Sequence, residues 1–311
     1  MDSGSLIGVV TVTFNSGTVI RGFMDSVLKQ TPAKFILYLV DNASSDDTLK
    51  LVAEYQDVRV VVIACQTNLG VAEGNNLGIR AALKDGCTSV LLVNNDTVFD
   101  SDLVSKLVAG LEEHQCDMIV PKILNFDHPD RIWSAGGYFS RIRAASGHFG
   151  DGQKDTGQFD RPRAVDYSPT CCMLVRREVF YGIGLMDANY FVYFDDTDFC
   201  HRAYRAGIKL FYKPSARLLH KVASLTGGVR SEFTLRYCTR NHAYYLLKNF
   251  PGWQVLFSLP LFQICIFAKY VFWERRLKAF WVAEKAFWEG ISLFWNRVED
   301  ADGFGEPTEA P

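Results

Sequence analysis

The sequence lacks the cysteine spacing of a zinc ribbon or a redox motif. None of its eight cysteines forms a C-x-x-C pair, and none stands at ligand spacing from a histidine. The adjacent Cys171 and Cys172 could not easily bridge each other, so we expect both to be small buried residues. No signal peptide precedes the cysteines, and we therefore expect reduced thiols in a cytoplasmic protein. The other cysteines stand at positions 65, 87, 116, 200, 238 and 265.

An excess of charge of one sign is also absent, as is any internal repeat. The chain of 311 residues has a net charge of −2, so we expect no nucleic acid partner. Charged residues make up 22% and apolar residues 48%, which is an ordinary balance for one large or two smaller globular domains. Aromatic residues are the abundant class, at 14%, and they crowd the C-terminal quarter.

Apolar, β-branched runs alternate with helical periodicity through the first 120 residues. Continuous apolar runs are typical of strands that are covered on both faces. We predict strands at 6–14, 35–41, 58–65 and 89–96, with helices at 18–30, 48–56 and 68–83. This alternation predicts βαβ units, and therefore an α/β fold with a mostly parallel central sheet flanked by helices.

Polar residues follow the apolar runs where each predicted strand ends: Asn15, Asp41, Asn68 and Asp96. In a parallel sheet ligands bind outside the carboxyl ends of the strands, so these four residues should meet at one edge. For Asp96, which ends the run VLLVNND, two interpretations stand. It is a strand end followed by a turn, or it holds a metal or a phosphate-bearing ligand.

The pattern changes after about residue 120. The stretch 132–169 is rich in glycine, aromatic residues and arginine, which predicts loops and short strands that shape an acceptor site. Residues 171–184 return to a strand followed by a helix. Residues 190–207 are predicted to begin extended and to become a helix.

Three carboxylates crowd the start of that last helix, at Asp195, Asp196 and Asp198. Acidic residues at a helix start complement the helix dipole, and capping explains one or two of them. Three acids in four residues beside the aromatic run YFVYF would repel one another unless they share a cation, a donor or a proton. Such crowding raises a pKa, as a general base requires.

Taken in order, these motifs resemble those of the family 2 inverting glycosyltransferases of the GT-A fold, most closely bacterial rhamnosyltransferase-like members. The resemblance covers about residues 6 to 250 and rests on the ordered set rather than on any one motif. The matching stretches are VVTVTFNSGTVIRGFMDSVLKQ, LVDNASSDDT, NLGVAEGNNLGIRAAL, LLVNNDTVF, CCMLVRREVF, YFDDTDFCHRAYRAG and RYCTRNHAYYLLKN.

The resemblance implies roles for residues at the sheet edge. It implies that Asp41 grips the nucleotide base of a nucleotide-diphospho-sugar donor. It also implies that Asp96 binds a divalent cation, Mg²⁺ or Mn²⁺, on the diphosphate, and that His220 approaches the same ion. In this chain Asn94 replaces the first acid of the family's D-x-D-like motif. The other residues implied at the nucleotide are Thr13, Asn15, Asn68, Gly70, Asn75 and Asn95.

For the chemistry, the resemblance implies that Asp196 is the catalytic base, with Asp195 beside it. Asp196 would take the proton from an acceptor hydroxyl that attacks the anomeric carbon opposite the leaving diphosphate, inverting its configuration. The candidate acceptor residues are Trp133, Gly137, Thr170 and Asp198. Trp133 could equally be a core residue, and Thr170 stands where relatives usually have glycine.

The stretch 253–297 contains five of the six tryptophans, interleaved with basic residues. Val255 to Trp273 is nearly long enough to span a bilayer, but Pro260, Gln263 and Lys269 interrupt it. The mixture of aromatic and basic residues predicts helices that lie in a membrane interface. The alternative is a helical pair that closes the core or forms a homodimer.

We therefore predict a catalytic domain at 1–249, with a nucleotide-sugar half at about 6–120 and an acceptor half at about 121–249. A membrane-associating segment at 250–298 and a disordered tail at 299–311 follow. The predicted enzyme is peripheral on the inner face of the cell membrane and moves a sugar, rhamnose from dTDP-rhamnose, to a glycan or lipid-linked saccharide. The alternatives are a nucleotidyltransferase on a similar sheet, for which FNSGTVIRG is a poor triphosphate loop, and a non-catalytic sugar-binding or scaffold protein.

Overall fold

The computed structural model describes residues 6–31, 34–140, 144–221 and 231–297. The disordered tail predicted for 299–311 lies outside the described residues.

Twelve strands and nine α-helices make up the described part of the chain. The strands are β1 (Leu6–Thr13), β2 (Lys34–Asp41), β3 (Val60–Ala64), β4 (Ser89–Val93), β5 (Thr97–Phe99), β6 (Met118–Asn125), β7 (Ile132–Ser134), β8 (Gly137–Ser140), β9 (Ala145–His148), β10 (Arg163–Ala164), β11 (Cys172–Arg176) and β12 (Leu210–His220). The helices are α1 (Ile20–Leu28), α2 (Thr48–Ala53), α3 (Gly70–Lys84), α4 (Leu103–Glu113), α5 (Arg177–Ile183), α6 (Asp195–Arg205), α7 (Glu232–Asn249), α8 (Gly252–Phe267) and α9 (Leu277–Asn296).

One mixed sheet organises the molecule, in the order β10-β12-β6-β11-β4-β1-β2-β3. Strands β3, β2, β1 and β4 are parallel neighbours, as their β-branched runs predict. Strand β11 is antiparallel to β4 and to β6, whereas β6 and β12 are again parallel to each other. Apolar clusters cover both faces of this sheet. The predicted α/β fold with a central sheet flanked by helices is confirmed, and the sheet is parallel in its β3-β2-β1-β4 part and in the β6–β12 pair. The division predicted near residue 120 falls inside β6, so the sheet continues through both predicted halves.

The prediction that residues 190–194 are extended is wrong. A 3₁₀ turn at Ala188–Tyr190 leads into Phe191, Tyr193 and Phe194, which have φ angles of 64°, 63° and 66°. Bulky residues rarely adopt this left-handed region unless their surroundings impose it. Contacts from α7, which is distant in sequence, impose it here and override the local preference of the aromatic run for extended backbone.

The C-terminal helices α8 and α9 follow α7. Helix α9 packs along α7 so closely that a Cβ atom on Gly290 would lie 2.1 Å from the backbone oxygen of Arg240. Helix α8 runs into a π-helical turn at Ala268–Trp273. In the described part of the chain, Gly252–Trp273 is the one helix that is long and apolar enough to cross a membrane, with a mean hydropathy of 1.8.

Candidate active site

Asp41 lies at the carboxyl end of β2 and is buried. Its carboxylate accepts hydrogen bonds from the Thr13 hydroxyl at 2.7 Å and from the backbone N–H and hydroxyl of Ser44 at 2.9 and 2.6 Å. These bonds fix the orientation of the carboxylate at the sheet edge. Thr13 and Asp41 face each other in the β1–β2 register, so the parallel pairing itself brings them together.

Asn15 and Asn68 fix the backbone of the loops that follow β1 and β3. Asn15 has a φ of 49° and accepts a bond from the backbone N–H of Ser45 at 2.8 Å, which closes the loop after β1 onto the loop after β2. Asn68 accepts from the backbone N–H of Gly70 at 2.9 Å and so closes the turn that enters α3. Asn75 is buried one turn into α3.

Gly70 sits where two loops touch. Its φ is 84°, and a Cβ atom on it would lie 2.4 Å from the backbone oxygen of Phe191. The Asn42 side chain donates to the Gly70 backbone oxygen at 2.8 Å. Gly70 therefore joins the loop after β2 to the loop that precedes the predicted base, and any larger residue would push that second loop away.

Asp96 and His220 meet at the end of β4. The side chain of Asn95 donates to the backbone oxygen of Val12, which ties the loop after β4 to β1. His220 stands opposite Thr97 in the β5–β12 pair, and its Nε2 lies 3.2 Å from Asp96 Oδ1. Both side chains are mostly buried. Two residues separated by 124 positions in the sequence thus present a carboxylate and an imidazole at one point.

The chemistry of this pair fits a divalent cation. Carboxylate oxygen and imidazole nitrogen are both common metal ligands, and 3.2 Å is close enough for both to touch one ion. The structure contains no cluster of three or more His, Cys, Asp or Glu ligands in 6–31, 34–140, 144–221 and 231–297. The rest of the coordination shell would therefore come from phosphate oxygens and water.

Asp195 and Asp196 begin α6, directly after the strained loop. Burial raises the pKa of Asp195 above its usual range, and the neighbouring Asp196 charge raises it further. Burial also raises the pKa of Asp196, although hydrogen bonds from Tyr167 and Thr197 oppose part of that rise. Tyr167 donates its hydroxyl proton to Asp196 Oδ2 at 2.9 Å, and the Thr197 N–H donates to Oδ1 at 2.6 Å. Asp196 is thus an oriented carboxylate with an increased proton affinity.

Asp198 has a different environment, which argues against the acceptor role predicted for it. It is fully buried and accepts bonds from Tyr190, Arg202, Lys248 and Asn249. Burial alone would raise the pKa of Asp198, but Arg202 and Lys248 outweigh burial and lower the pKa to about 2. A carboxylate whose acceptor positions are used inside the protein is unavailable to a substrate. Its effect is to lock α6 to α7 and to the turn after α5.

The other predicted acceptor residues lie near one another but differ in character. Trp133 is half-buried, and its ring contacts the ring of His220 edge-on at 4.4 Å. Gly137 is buried, and a Cβ atom on it would lie 2.3 Å from the backbone oxygen of Gly147, so its place is set by packing. Thr170 is buried just before β11. Their roles at an acceptor stay predictions.

A continuous set of contacts joins Asp196 to the Asp96–His220 pair. The His148 ring packs against Tyr167 at 5.7 Å and against Trp133 at 5.0 Å, and its Nδ1 lies 3.2 Å from the Trp133 backbone oxygen. Tyr167 bonds to Asp196, and Trp133 touches His220. Burial raises the pKa of the nearby Cys171 thiol, and the charges of Asp96 and Asp196 both add to the rise.

Sequence reasoning missed the residues that hold the base loop in place. The Asn241 side chain donates to the backbone oxygens of Tyr190, Val192 and Tyr193 at 2.9, 2.7 and 2.8 Å. Arg240 donates to the backbone oxygens of Asn189 and Tyr190. Both residues belong to the stretch RYCTRNHAYYLLKN, which marked them as part of a motif but gave no function. Tyr167 and His148 carried no signal, because they lie in a region without periodicity.

Comparison with known proteins gives a family match and related enzymes. The model of glycosyl transferase family 2 matches residues 8–184. The dTDP-rhamnosyl transferase RfbF of Shigella flexneri is 23% identical over 256 residues, which cover 79% of this chain and 81% of RfbF. The N-acetylglucosaminyl-diphospho-decaprenol L-rhamnosyltransferase of Mycobacterium tuberculosis is 25% identical over 239 residues, covering 71% of this chain and 78% of that protein.

Solved structures show the same fold. TarS 1-349 of S. aureus in complex with UDP-GlcNAc aligns with a TM-score of 0.56 at 16% identity, covering 94% of this chain and 80% of that chain. The mannosyltransferase PcManGT of Pyrobaculum calidifontis, in complex with GDP-Man and Mn²⁺, aligns with a TM-score of 0.55 at 13% identity. That alignment covers 96% of this chain and 89% of PcManGT. The fold is therefore the GT-A fold.

Proposed function

Given that this chain belongs to glycosyl transferase family 2, we propose that it is an inverting, metal-dependent enzyme that transfers rhamnose from dTDP-rhamnose. The acceptor is a hydroxyl of a glycan or lipid-linked saccharide in the synthesis of a bacterial cell-surface polysaccharide. The choice of rhamnose is supported by the two rhamnosyltransferases among its relatives. Family membership favours a transferase over the nucleotidyltransferase and scaffold alternatives.

One observation carries this proposal. A carboxylate with a raised pKa, Asp196, is held by Tyr167 at one end of a set of contacts, and the Asp96–His220 pair stands at the other end. A base and a site for a diphosphate-bound cation are the two groups that a single displacement at a sugar carbon requires. Their connection through the rings of His148 and Trp133 supports a shared site for the two groups.

In this mechanism Asp196 accepts the proton of the acceptor hydroxyl as that oxygen bonds to the anomeric carbon. The bond from that carbon to the diphosphate oxygen breaks on the opposite face, and its electron pair leaves with the diphosphate. General-base catalysis of this kind contributes roughly 10²–10⁴-fold. Tyr167 and the Thr197 N–H occupy positions on the carboxylate that orient it toward the acceptor. Asp96 and His220 would hold a divalent cation, Mg²⁺ or Mn²⁺, whose positive charge would offset the negative charge of the diphosphate.

We expect the nucleotide of the donor to bind at the edge of the sheet, beside Asp41. Asp41, already oriented by Thr13 and Ser44, would accept a hydrogen bond from the ring N–H of the nucleotide base. Uracil and thymine both offer that donor, so Asp41 does not choose between UDP and dTDP. We further place the enzyme on the inner face of the cytoplasmic membrane, through α8 and α9.

Purified protein offered a panel of nucleotide-sugars tests this function. We expect transfer, or slow hydrolysis, of dTDP-rhamnose in the presence of Mg²⁺ or Mn²⁺, with inversion at the anomeric carbon. Asp196→Asn keeps the shape of the side chain and loses its basicity, so turnover should fall at least ~100-fold while donor binding survives. If Asp196→Asn turned over normally and Asp195→Asn did not, the assignment within the pair would be wrong.

A further inference from the structure

Helix α9 has two opposite faces of contrasting composition. At ~100° per residue, Trp281, Trp288 and Trp295, which are seven residues apart, lie within about 40° of one another. They are 67%, 57% and 76% exposed. The small residues Ala283 and Gly290 lie on the opposite side, buried against α7. The tryptophan row therefore points directly away from the catalytic part of the protein.

Helix α8 extends this exposed surface. Ile264 and Phe267 of α8 line a groove of about 400 Å³ together with Phe280 and Trp281 of α9, so the two helices share one outer face. The exposed apolar side chains of α8 repeat at helical spacing along that face: Trp253, Leu256, Phe257, Leu261 and Ile264. Soluble monomers rarely expose so large a continuous apolar surface without a partner. We call these side chains and the α9 tryptophans the outer face.

The charge around the outer face selects the partner. Residues 252–297 carry six basic and three acidic side chains, a net charge of +3, whereas the whole chain has −2. The acids are engaged within the protein, and three of the bases are paired as well, Lys269 and Arg276 with Glu274 and Lys278 with Glu232 of α7. Glu284 accepts from Gln263 and Trp288, and Glu289 accepts from Arg236 of α7. Lys285 is exposed about 60° from the middle of the tryptophan row. Tryptophan beside exposed cations matches the interface of an anionic bilayer.

The packing between α8 and α9 decides how they meet the bilayer. At ~1.5 Å per residue the 22 residues of Gly252–Trp273 could cross a hydrocarbon core of about 30 Å. However, Ile266 and Tyr270 are buried in a cluster with Ala279 and Ala283 of α9. Since α9 carries charged residues on its exposed sides, it must stay at the headgroup level, and this cluster holds α8 beside it.

We propose that α8 and α9 lie side by side in the headgroup region of an anionic bilayer, with the outer face inserted and neither helix crossing. This inference rests on the proposed function only in that the lipid surface is where the acceptor would be found. The inner side of α8 reaches the active site, because the Phe262 ring lies 4.3 Å from His242 and His242 stacks on Phe194, next to the base. His242 Nε2 also lies 3.1 Å from the backbone oxygen of Ala144 in the β8–β9 hairpin. His242 thus links the inner side of α8 to the loop that leads into the predicted base.

Co-sedimentation with vesicles tests the surface. We expect the full chain to bind phosphatidylglycerol vesicles more tightly than phosphatidylcholine vesicles. The triple variant Trp281→Ser/Trp288→Ser/Trp295→Ser should bind at least about tenfold more weakly, and Lys285→Gln about fivefold more weakly. The matched control is Val58→Thr/Val61→Thr/Val62→Thr, which removes three exposed apolar side chains at the far edge of the sheet and should bind normally.

Lipids with bromine at shallow or deep acyl positions test the orientation. Shallow bromines should quench the tryptophan fluorescence more than deep bromines. Stronger quenching by deep bromines would mean that the tryptophans of the outer face lie below the headgroup region, which would overturn the proposed orientation. If the triple variant bound vesicles as tightly as the wild type, the outer face would not be the lipid contact. If the wild type formed a dimer in solution that the triple variant lost, the outer face would be a dimer interface instead. Hydrolysis of the nucleotide-sugar donor is measured on the same preparations. If the wild type hydrolyses the donor but does not bind vesicles, this inference is overturned and the proposed function is not.

Discussion

Tyr167→Phe should displace the pH dependence of turnover without abolishing activity. The substitution removes the hydroxyl that donates to Asp196 Oδ2 at 2.9 Å and leaves the buried ring in place. Burial raises the pKa of Asp196, and the Tyr167 bond is the largest effect that opposes this rise. Its loss should therefore raise the pKa of Asp196 further. Below the new pKa less of the base is ionised, so the rate falls there and recovers at higher pH.

The size of this displacement follows from the strength of the bond. A hydrogen bond to a charged group contributes about 1.5–3 kcal/mol, and one pKa unit corresponds to about 1.4 kcal/mol. The upper limit is therefore about two units. The Thr197 N–H still holds the other oxygen, so we expect a shift of the rising limb by about one unit toward higher pH.

The assay is kcat against pH with saturating donor and acceptor. Tyr138→Phe is the matched control, since Tyr138 lies on β8, where its ring packs against Phe149. Its profile should overlay that of the wild type. An unshifted rising limb in Tyr167→Phe would refute the role of Tyr167 at the base. A uniform fall in kcat at every pH would show that Tyr167 only supports the fold.

Three further predictions concern the acids of the site. Asp96→Asn should abolish transfer and weaken metal-dependent nucleotide binding, and full activity of the wild type in excess chelator would count against the cation. Asp41→Ala should raise the donor dissociation constant measured by calorimetry, with less effect on the acceptor; an unchanged constant would contradict its contact with the base. Burial raises the folded-state pKa of Asp195 above its unfolded value, so the stability that this carboxyl contributes is present at low pH and is lost as pH rises through the raised pKa. The free energy of unfolding of Asp195→Asn should therefore increase relative to that of the wild type as the pH rises from 5 to about 8. Urea unfolding measures this difference. A difference that stays constant across the range would mean that the pKa of Asp195 is not raised in the folded protein.

The sheet and the polar residues at its edge follow from local patterns in the sequence. Strands that are buried on both faces must be apolar along their whole length, so β1, β2 and β4 were visible in the β-branched runs. Parallel strands end at the same edge, so their order in the sequence is enough to predict that Asp41 and Asp96 lie at one edge of the sheet. The ordered motifs also indicated the family, because motif identity and order are properties of the chain alone.

Only the tertiary structure distinguished the acids of the cluster. Asp196 and Asp198 are two residues apart and look equivalent in sequence. Asp198 meets Lys248 and Asn249, which arrive from α7, whereas Asp196 meets Tyr167 from a loop without periodicity. A carboxylate's pKa and availability depend on burial and on partners from distant segments, and no local pattern encodes them.

The same reason explains the loop before the base and the C-terminal helices. The aromatic run ending at Phe194 favours extended backbone, yet Asn241 holds it in left-handed conformations from α7. The abundance of tryptophan after residue 250 was plain in the sequence. Which of those rings pack inward and which form the exposed row of Trp281, Trp288 and Trp295 was decided by the close approach of Gly290 to α7, because that contact fixes the rotation of α9 about its own axis.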